Sequence, residues 1–112
     1  RDPEPGRELL SGGAPCYAVY RCADGRFVAV GALELKFWQA LCRTLGRPEW
    51  AALHWSCGLV PGSAVSMALR AEVAAVFAAE PMHHWVALFD AVDACVTPVL
   101  RLGELAAHPL YG

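Results

Sequence analysis

Hydrophobic residues form two short runs in the first third of the chain, Tyr17 to Tyr20 and Phe27 to Val30. Asp24-Gly25 lies in the polar segment between them, and Asp-Gly between β-forming runs favours a tight hairpin turn. Side chains alternate along a strand, so the first run and its flank place Tyr17, Val19 and Arg21 opposite Ala18, Tyr20 and Cys22. The second run is almost continuously apolar, which predicts a strand covered on both faces.

The apolar spacing then changes to the period of a helix. Large apolar residues recur every four positions before Gly46, which predicts a helix over Leu35 to Leu45 with Gly46 just past its end. Arg47 to Trp50 starts a short helix, since its proline suits the first helical position. Ser63 is the predicted N-cap of a longer helix over Ala64 to Ala79. The predicted apolar stripe of that helix is Val65, Leu69, Val73, Val76 and Phe77.

From Pro81 onward, the sequence pattern predicts a helix followed by a short strand. Pro81 ends the long helix and starts another over Met82 to Ala91. The apolar face predicted for it consists of Trp85, Leu88 and Phe89. Asp93 to Val99 reads as a short strand whose Pro98 belongs at an edge or a strand end. Residues 102–107 are predicted to form a final short helix. The pattern as a whole predicts an α+β domain with a short antiparallel β-sheet and several packed helices.

Composition limits the chain to one domain, because it has 112 residues. Hydrophobic residues make up 56% and charged residues 18%, so the domain is more hydrophobic than an average soluble domain. No apolar run reaches the roughly 18 residues of a membrane span, and the polar, proline-rich start does not resemble a signal peptide. A cytoplasmic protein with apolar surface against a partner or second domain is therefore expected. The alternative explanation of the high hydrophobic content is an alanine-rich sequence from a GC-rich genome.

Charge and cysteine content exclude two other classes. The net charge of −2 and the pI near 6.1 argue against nucleic acid as the main ligand. The five cysteines are odd in number and form no C-x-x-C pair, so we expect reduced, mostly buried thiols and no zinc site. They are Cys16, Cys22, Cys42, Cys57 and Cys95.

Most candidate functional residues have a simpler structural interpretation. No phosphate loop, G-x-S-x-G or dinucleotide fingerprint is present. His83 and His84 are neighbours on a helix and do not share a face, so exposed histidines are expected there. The same interpretation applies to His54 and His108. Asp93 is expected to turn the chain into the last strand. The four tryptophans, Trp38, Trp50, Trp55 and Trp85, are expected to be packing residues.

Glu34 is the best candidate for a functional acid. It follows an apolar strand and a glycine, at the point where the next helix begins. Two interpretations remain open: a first-turn acid of that helix, or a carboxylate directed at a site. Gly12-Gly13, ahead of the hairpin, either allows close approach of another group to the backbone or simply turns the chain.

Three segments carry a resemblance to a known family: S-G-G-A-P-C-Y-A-V-Y-R-C-A-D-G-R-F-V-A-V-G-A-L-E at 11–34, F-W-Q-A-L-C-R-T-L-G-R-P-E-W at 37–50, and W-V-A-L-F-D-A-V-D-A-C-V-T-P-V-L at 85–100. In this order they resemble the small domain of family III CoA-transferases, above all their α-methylacyl-CoA racemase branch. The resemblance implies that residues 1–10 are a linker from a large domain and residues 11–112 form the small domain. It also implies an interlocked homodimer, whose active sites lie between the large domain of one subunit and the small domain of the other.

The implied chemistry is that of acyl-CoA thioesters, with coenzyme A as part of the substrate and no tightly bound cofactor. In the racemases, a His and an Asp of the large domain exchange the proton beside the thioester carbonyl through an enolate. In the transferases, a large-domain Asp forms covalent acyl intermediates. The chain alone is then expected to be inactive. A dimerisation or binding module without chemistry of its own is the alternative.

The resemblance also carries over three site residues. Gly31-Ala32-Leu33-Glu34 matches the G-A-x-E acid of the family, which makes Glu34 the catalytic candidate that supports the proton-transfer pair. Gly12 and Gly13 match the glycine loop and are the candidates for contact with coenzyme A. The racemases usually continue E-P-Q-F, whereas this chain continues as Glu34-Leu35-Lys36-Phe37.

Overall fold

A computed structural model describes residues 14–100 of the chain. Three strands form an antiparallel sheet in the order β1-β2-β3: β1 is Tyr17–Arg21, β2 is Phe27–Gly31 and β3 is Val96–Val99. The predicted α+β class is confirmed. The predictions for the linker 1–10, for Gly12 and Gly13, for the helix 102–107 and for His108 concern residues outside this range.

Three α-helices accompany the sheet: α1 is Leu35–Thr44, α2 is Ala64–Phe77 and α3 is Met82–Phe89. Two single 3-10 turns, Pro48–Trp50 and Trp55–Cys57, lie between α1 and α2.

The predicted helix signals at Gly46 and Ser63 are confirmed. Gly46 has φ of +75°, and the N–H of Arg47 donates to the carbonyl of Cys42 at 2.8 Å, which closes the end of α1 in a Schellman motif. The Ser63 hydroxyl accepts the N–H of Ser66 at 3.2 Å and caps α2. Both ends therefore follow from local sequence alone.

The predicted helix faces needed two corrections. In α2 the buried stripe is Ser66, Leu69, Val73 and Phe77. Counting back from Phe77 in helical steps of three or four residues leads to Val73, Leu69 and Ser66, which share one face. Val65 lies about 100° around the helix from Ser66 and is 59% exposed. In α3, Trp85 and Phe89 are buried while Leu88 is 40% exposed. Helix α3 is also too short to extend its face to Ala91, since it ends at Phe89.

The core centres on the ring of Phe77, which lies between the helices and the sheet. Its centroid is 5.3 Å from Tyr20, 5.0 Å from Trp85 and 6.5 Å from Phe89. The Tyr20 hydroxyl donates to the Pro15 carbonyl at 2.7 Å, so this buried polar group is satisfied. One aromatic cluster thus joins β1, α2 and α3.

The outer face of the sheet is apolar and uncovered, contrary to the prediction that β2 is covered on both faces. Val19 is 51% exposed, Phe27 41% and Val99 40%. Phe27 is paired with Arg21 on one side and with Val99 on the other, so these side chains share a face. Helices α2 and α3 pack against the opposite face, where Val28 is buried. Within residues 14–100, the continuously apolar strand β2 therefore has only one fully covered face.

The cysteine thiols are free, and three of the five are buried: Cys16, Cys22 and Cys42. Burial raises the pKa of Cys16 to about 11 and that of Cys42 to about 12, so both thiols are protonated near neutral pH. Cys57 and Cys95 are exposed. Across residues 14–100, no helix is both long enough and apolar enough to cross a lipid bilayer.

Asp24 joins the hairpin turn to helix α3. Its Oδ1 accepts the N–H of Arg26 at 3.2 Å and the N–H of Met82 at 3.3 Å. Desolvation acts to raise the pKa of Asp24, but these two N–H groups and the charge of Arg26 outweigh it and hold the pKa below its ordinary value of 3.8. The turn and the first turn of α3 are therefore stabilised by the ionised carboxylate.

We expect Asp24→Ala to lower the melting temperature at pH 7 because both N–H groups lose their acceptor. A depressed carboxyl pKa stabilises the fold above the unfolded-state pKa, and this contribution disappears as pH falls through the folded-state pKa. The difference in melting temperature should therefore narrow below about pH 3.8. Asp24→Asn, which keeps an acceptor oxygen, should fall between the two proteins at pH 7. A difference that stays constant down to acid pH would contradict the assignment.

Candidate functional site

Glu34 lies at the junction of β2 and α1 as the N-cap residue of the helix, with φ of −83° and ψ of 140°. Its carbonyl accepts the N–H groups of Phe37 at 3.1 Å and Trp38 at 3.2 Å, so the backbone is fixed by the first turn. Its side chain is exposed and makes no capping hydrogen bond. Glu34 thus precedes the first turn of α1, and its carboxylate is not used to cap the helix.

The backbone leading to Glu34 is tethered by two other segments. The N–H of Gly31 donates to the carbonyl of Cys95 at 2.9 Å, and the N–H of Ala32 donates to the carbonyl of Cys16 at 2.8 Å. Ala32 itself is completely buried. The chain before β1 and the turn before β3 therefore both hold the Gly31-Ala32-Leu33-Glu34 segment.

The side chains of His54 and Trp55 form hydrogen bonds with the two backbone carbonyls that directly precede Glu34. His54 Nε2 lies 3.2 Å from the Ala32 carbonyl, and Trp55 Nε1 donates to the Leu33 carbonyl at 2.8 Å. His54 is only 1% exposed, so the expectation of an exposed histidine was wrong. Trp55 is 43% exposed, so it is not a core packing residue either. No sequence signal separated these two residues from the surrounding loop, because their partners lie 22 residues away.

The hydrogen bonds of His54 determine its tautomer. Nδ1 accepts the N–H of Ser56 at 3.2 Å and lies 2.7 Å from the Ser56 hydroxyl, so Nε2 carries the proton and donates to Ala32. Burial lowers the pKa of His54, although the carbonyls of Ala32 and Leu33 oppose the shift. The ring is therefore neutral near pH 7 and serves as a fixed hydrogen-bond donor.

Cys95 brings the D-A-C-V-T-P-V segment beside the strand that ends near Glu34. It has φ of +56°, an uncommon conformation for a residue other than glycine. Desolvation raises the pKa of its thiol, and the negative charges of Asp93 and Glu34 raise it further. The Cys95 thiol is therefore protonated at neutral pH, which does not favour a nucleophilic role.

The other sequence candidates are placed elsewhere. On α3, His83 is exposed, whereas His84 is only partly exposed. His84 lies 4.0 Å from Glu80 and contacts the edge of Trp85 with centroids 4.7 Å apart. A groove of about 690 Å³ beside His84 is lined by residues of α1, α2 and α3 and does not include Glu34. Three tryptophans, Trp38, Trp50 and Trp85, are buried as predicted.

The described residues offer a positioned carboxylate rather than a complete catalytic centre. Among residues 14–100, no group of three or more His, Cys, Asp and Glu side chains is placed to hold a metal ion. An exposed carboxylate on a tethered backbone can accept or donate a proton, or hydrogen-bond to a group that does. Exchange of a proton between two faces of one carbon needs a second acid–base group opposite the first.

Comparisons with known proteins identify relatives of this chain. The model of the family described as CoA-transferase family III matches residues 1–112. Alpha-methylacyl-CoA racemase of Homo sapiens is 39% identical over 104 residues, which cover 92% of this chain and 26% of that protein. A CaiB/baiF CoA-transferase family protein of Caenorhabditis elegans is 32% identical over 103 residues, covering 89% of this chain and 26% of that protein.

A solved structure has the same architecture. A variant of Rv3272 from Mycobacterium tuberculosis aligns with a TM-score of 0.67 and 25% sequence identity, covering 92% of this chain and 28% of that one. The chain therefore spans about a quarter of the length of the relatives that it matches. With the family model matched across residues 1–112, the chain belongs to CoA-transferase family III.

Proposed function

We propose that this chain is the small domain of an acyl-CoA-processing enzyme, and that the reaction is epimerisation of a 2-methylacyl-CoA by exchange of its α-proton. The observation that carries the proposal is the exposed, uncapped carboxylate of Glu34 on a backbone held by four surrounding hydrogen bonds. The similarity to alpha-methylacyl-CoA racemase of Homo sapiens, at 39% identity, supports this choice of reaction.

Glu34 would act together with groups that this chain does not supply. Removal of an α-proton beside a thioester creates an enolate, and return of a proton to the opposite face requires a second acid. The resemblance implies that a His and an Asp of a large domain form this pair. Glu34 would then hydrogen-bond to one of them and hold it in the required protonation state and orientation. Coenzyme A would be bound as part of the substrate, and Gly12 and Gly13 remain the candidates for its contact.

A composite site requires that the domain dock against other parts of the enzyme. The outer face of the sheet provides apolar surface for this purpose, with Val19, Phe27 and Val99 each at least 40% exposed. The matched relatives are about four times as long as this chain, which leaves room for a large domain. A homodimer of such two-domain subunits is part of the proposal.

Two other functions are tested alongside the first. Similarity to a CaiB/baiF CoA-transferase family protein favours transfer of coenzyme A between carboxylic acids. The uncovered apolar face of the sheet favours a dimerisation or binding module without chemistry. The first alternative keeps the same substrate class, whereas the second needs no role for Glu34.

The test is solvent deuterium exchange at the α-carbon of a 2-methylacyl-CoA, followed by NMR. It uses the 112-residue chain and the full-length protein that contains it. We expect exchange by the full-length protein only, and we expect Glu34→Gln in that protein to slow exchange at least tenfold, about 1.4 kcal/mol of activation free energy. Glu49→Gln, which removes an exposed carboxylate from the Pro48–Trp50 turn, is the matched control and should leave exchange unchanged.

Each other outcome selects a different conclusion. If the full-length protein moves coenzyme A between acids without exchanging the α-proton, the transferase proposal replaces the racemase proposal. Exchange by the 112-residue chain alone would contradict the composite site. If neither reaction is detected and the apolar face holds two copies together, the binding-module function is the one supported.

A further inference from the structure

We infer that His54 and Trp55 are positioning residues for Glu34: their ring N–H groups hold the two successive carbonyls that precede it, at 3.2 and 2.8 Å. The inference rests on the proposed role of Glu34 in proton exchange. It assigns a function to two residues whose sequence pattern indicated none.

The geometry leaves the backbone before Glu34 little freedom. The N–H of Ala32 is held from one side by Cys16, and the carbonyl of the same residue is held from the other side by His54. Trp55 then holds the carbonyl of Leu33, immediately before the residue that carries the carboxylate. Loss of the Trp55 N–H frees the carbonyl of the Leu33–Glu34 peptide, and loss of the His54 N–H frees that of the Ala32–Leu33 peptide before it.

The segment that carries the two rings is itself rigid. The His54 carbonyl accepts the N–H groups of Cys57 at 2.9 Å and Leu59 at 3.1 Å. Gly58, with φ of +100°, closes the turn. The His54 ring lies 5.7 Å from the ring of Trp55 and 6.4 Å from the buried ring of Trp38. The two donors are therefore held in place by contacts besides their hydrogen bonds to the Leu33 and Ala32 carbonyls.

Trp55 is suited to a test because its contribution to packing is small. Its ring is 43% exposed, whereas Trp85 is 5% exposed and donates its Nε1 hydrogen to the carbonyl of Phe77 at 2.9 Å. Both tryptophans thus make the same kind of hydrogen bond, one beside Glu34 and one in the core. A purely structural role predicts the larger effect at Trp85, and a positioning role predicts the larger effect on catalysis at Trp55.

The consequence for the reaction is a loss of rate rather than of substrate affinity. Catalytic groups need placement within roughly 0.5 Å, and a shift of about 1 Å can cost as much as 100-fold in rate. Trp55→Phe removes the N–H donor and leaves a smaller ring at a position that is 43% exposed, so a smaller shift and a smaller loss are expected. We expect a fall in kcat of about five- to tenfold, with KM changed less than twofold.

The experiment compares Trp55→Phe with Trp85→Phe in the full-length protein, using α-proton exchange and thermal unfolding. Trp85→Phe should lower the melting temperature more and leave kcat unchanged. For the histidine, His54→Leu should lower kcat, and His54→Gln should recover at least half of the loss because its amide N–H can still donate to Ala32. If kcat falls in proportion to melting temperature across all four variants, the role is structural and the inference is overturned.

Amide hydrogen exchange separates this inference from the proposed function. Peptides containing Gly31 and Ala32 should exchange faster in Trp55→Phe than in the parent protein, and Trp85→Phe should not have this effect. Unchanged exchange in those peptides overturns the inference whatever the activity. If those peptides respond as expected but Glu34→Gln keeps full activity, the proposed role of Glu34 fails and the claim that the two rings position a catalytic group fails with it.

Discussion

We expect Phe77→Ala to lower the free energy of unfolding by about 3–5 kcal/mol, the usual range for truncation of a buried aromatic residue. Phe77 has no solvent exposure and contacts Tyr20, Trp85 and Phe89 in the centre of the core. The neighbouring rings belong to two other elements, β1 and α3, so they cannot collapse together into the space without moving those elements relative to α2. Urea unfolding followed by tryptophan fluorescence measures the change.

Two further variants keep this prediction testable if the alanine variant does not fold, since a domain's total stability is only about 5–15 kcal/mol. Phe77→Leu retains most of the buried volume and should lose less than the alanine variant. Phe27→Ala removes the same side chain from a position that is 41% exposed, and should cost clearly less than Phe77→Ala. Equal losses at positions 27 and 77 would contradict the assignment of the core.

Trp38→Ala is expected to have a similarly large effect, again about 3–5 kcal/mol. Trp38 is completely buried in α1, and its Nε1 donates to the carbonyl of Trp50 at 2.9 Å, which ties the Pro48–Trp50 turn to the helix. The alanine variant loses the ring and leaves that carbonyl with one donor, the N–H of Leu53 at 2.9 Å. Because α1 starts directly after Glu34, the variant should also speed amide exchange at the start of the helix.

Trp38→Phe removes the hydrogen bond but keeps part of the packing at the same position. It leaves a smaller buried ring, and the Trp50 carbonyl keeps the N–H of Leu53 as its donor at 2.9 Å, so the lost hydrogen bond itself costs about 0.5–1.5 kcal/mol. Its free energy of unfolding should therefore lie between those of the parent and Trp38→Ala. If Trp38→Phe is as stable as the parent, the hydrogen bond to Trp50 contributes nothing measurable, and packing alone explains the burial of this residue.

The exposed face of the sheet and the tethered Glu34 both bear on how this domain contacts the rest of the enzyme. An apolar sheet face with Val19 51% exposed is the kind of surface that another domain covers. Glu34 follows β2, which ends at Gly31 in that same sheet. Under the proposed function, the large domain that covers this face would also supply the acid–base pair that meets the carboxylate.

Local signals were sufficient wherever the deciding contacts lie within a few residues. The hairpin at Asp24-Gly25, the glycine end of α1 and the Ser63 cap were predicted because each depends on backbone conformation or on a hydrogen bond to a near neighbour. Helix faces were predicted less well. Periodicity indicates which residues share a face, but a stripe of Val65 and Leu69 looks as apolar as the true stripe that begins at Ser66.

Sequence patterns were enough to predict the α+β class, the hairpin and the helix ends, and they singled out Glu34 as a candidate acid. The exposed face of β2, the burial of His54 and the hydrogen bond from Trp55 to the Leu33 carbonyl were visible only in the folded domain. The cause is distance along the chain. Partners 22 residues apart are brought together by the tertiary fold, and neither a periodic pattern nor a turn signal indicates which carbonyl a ring N–H contacts.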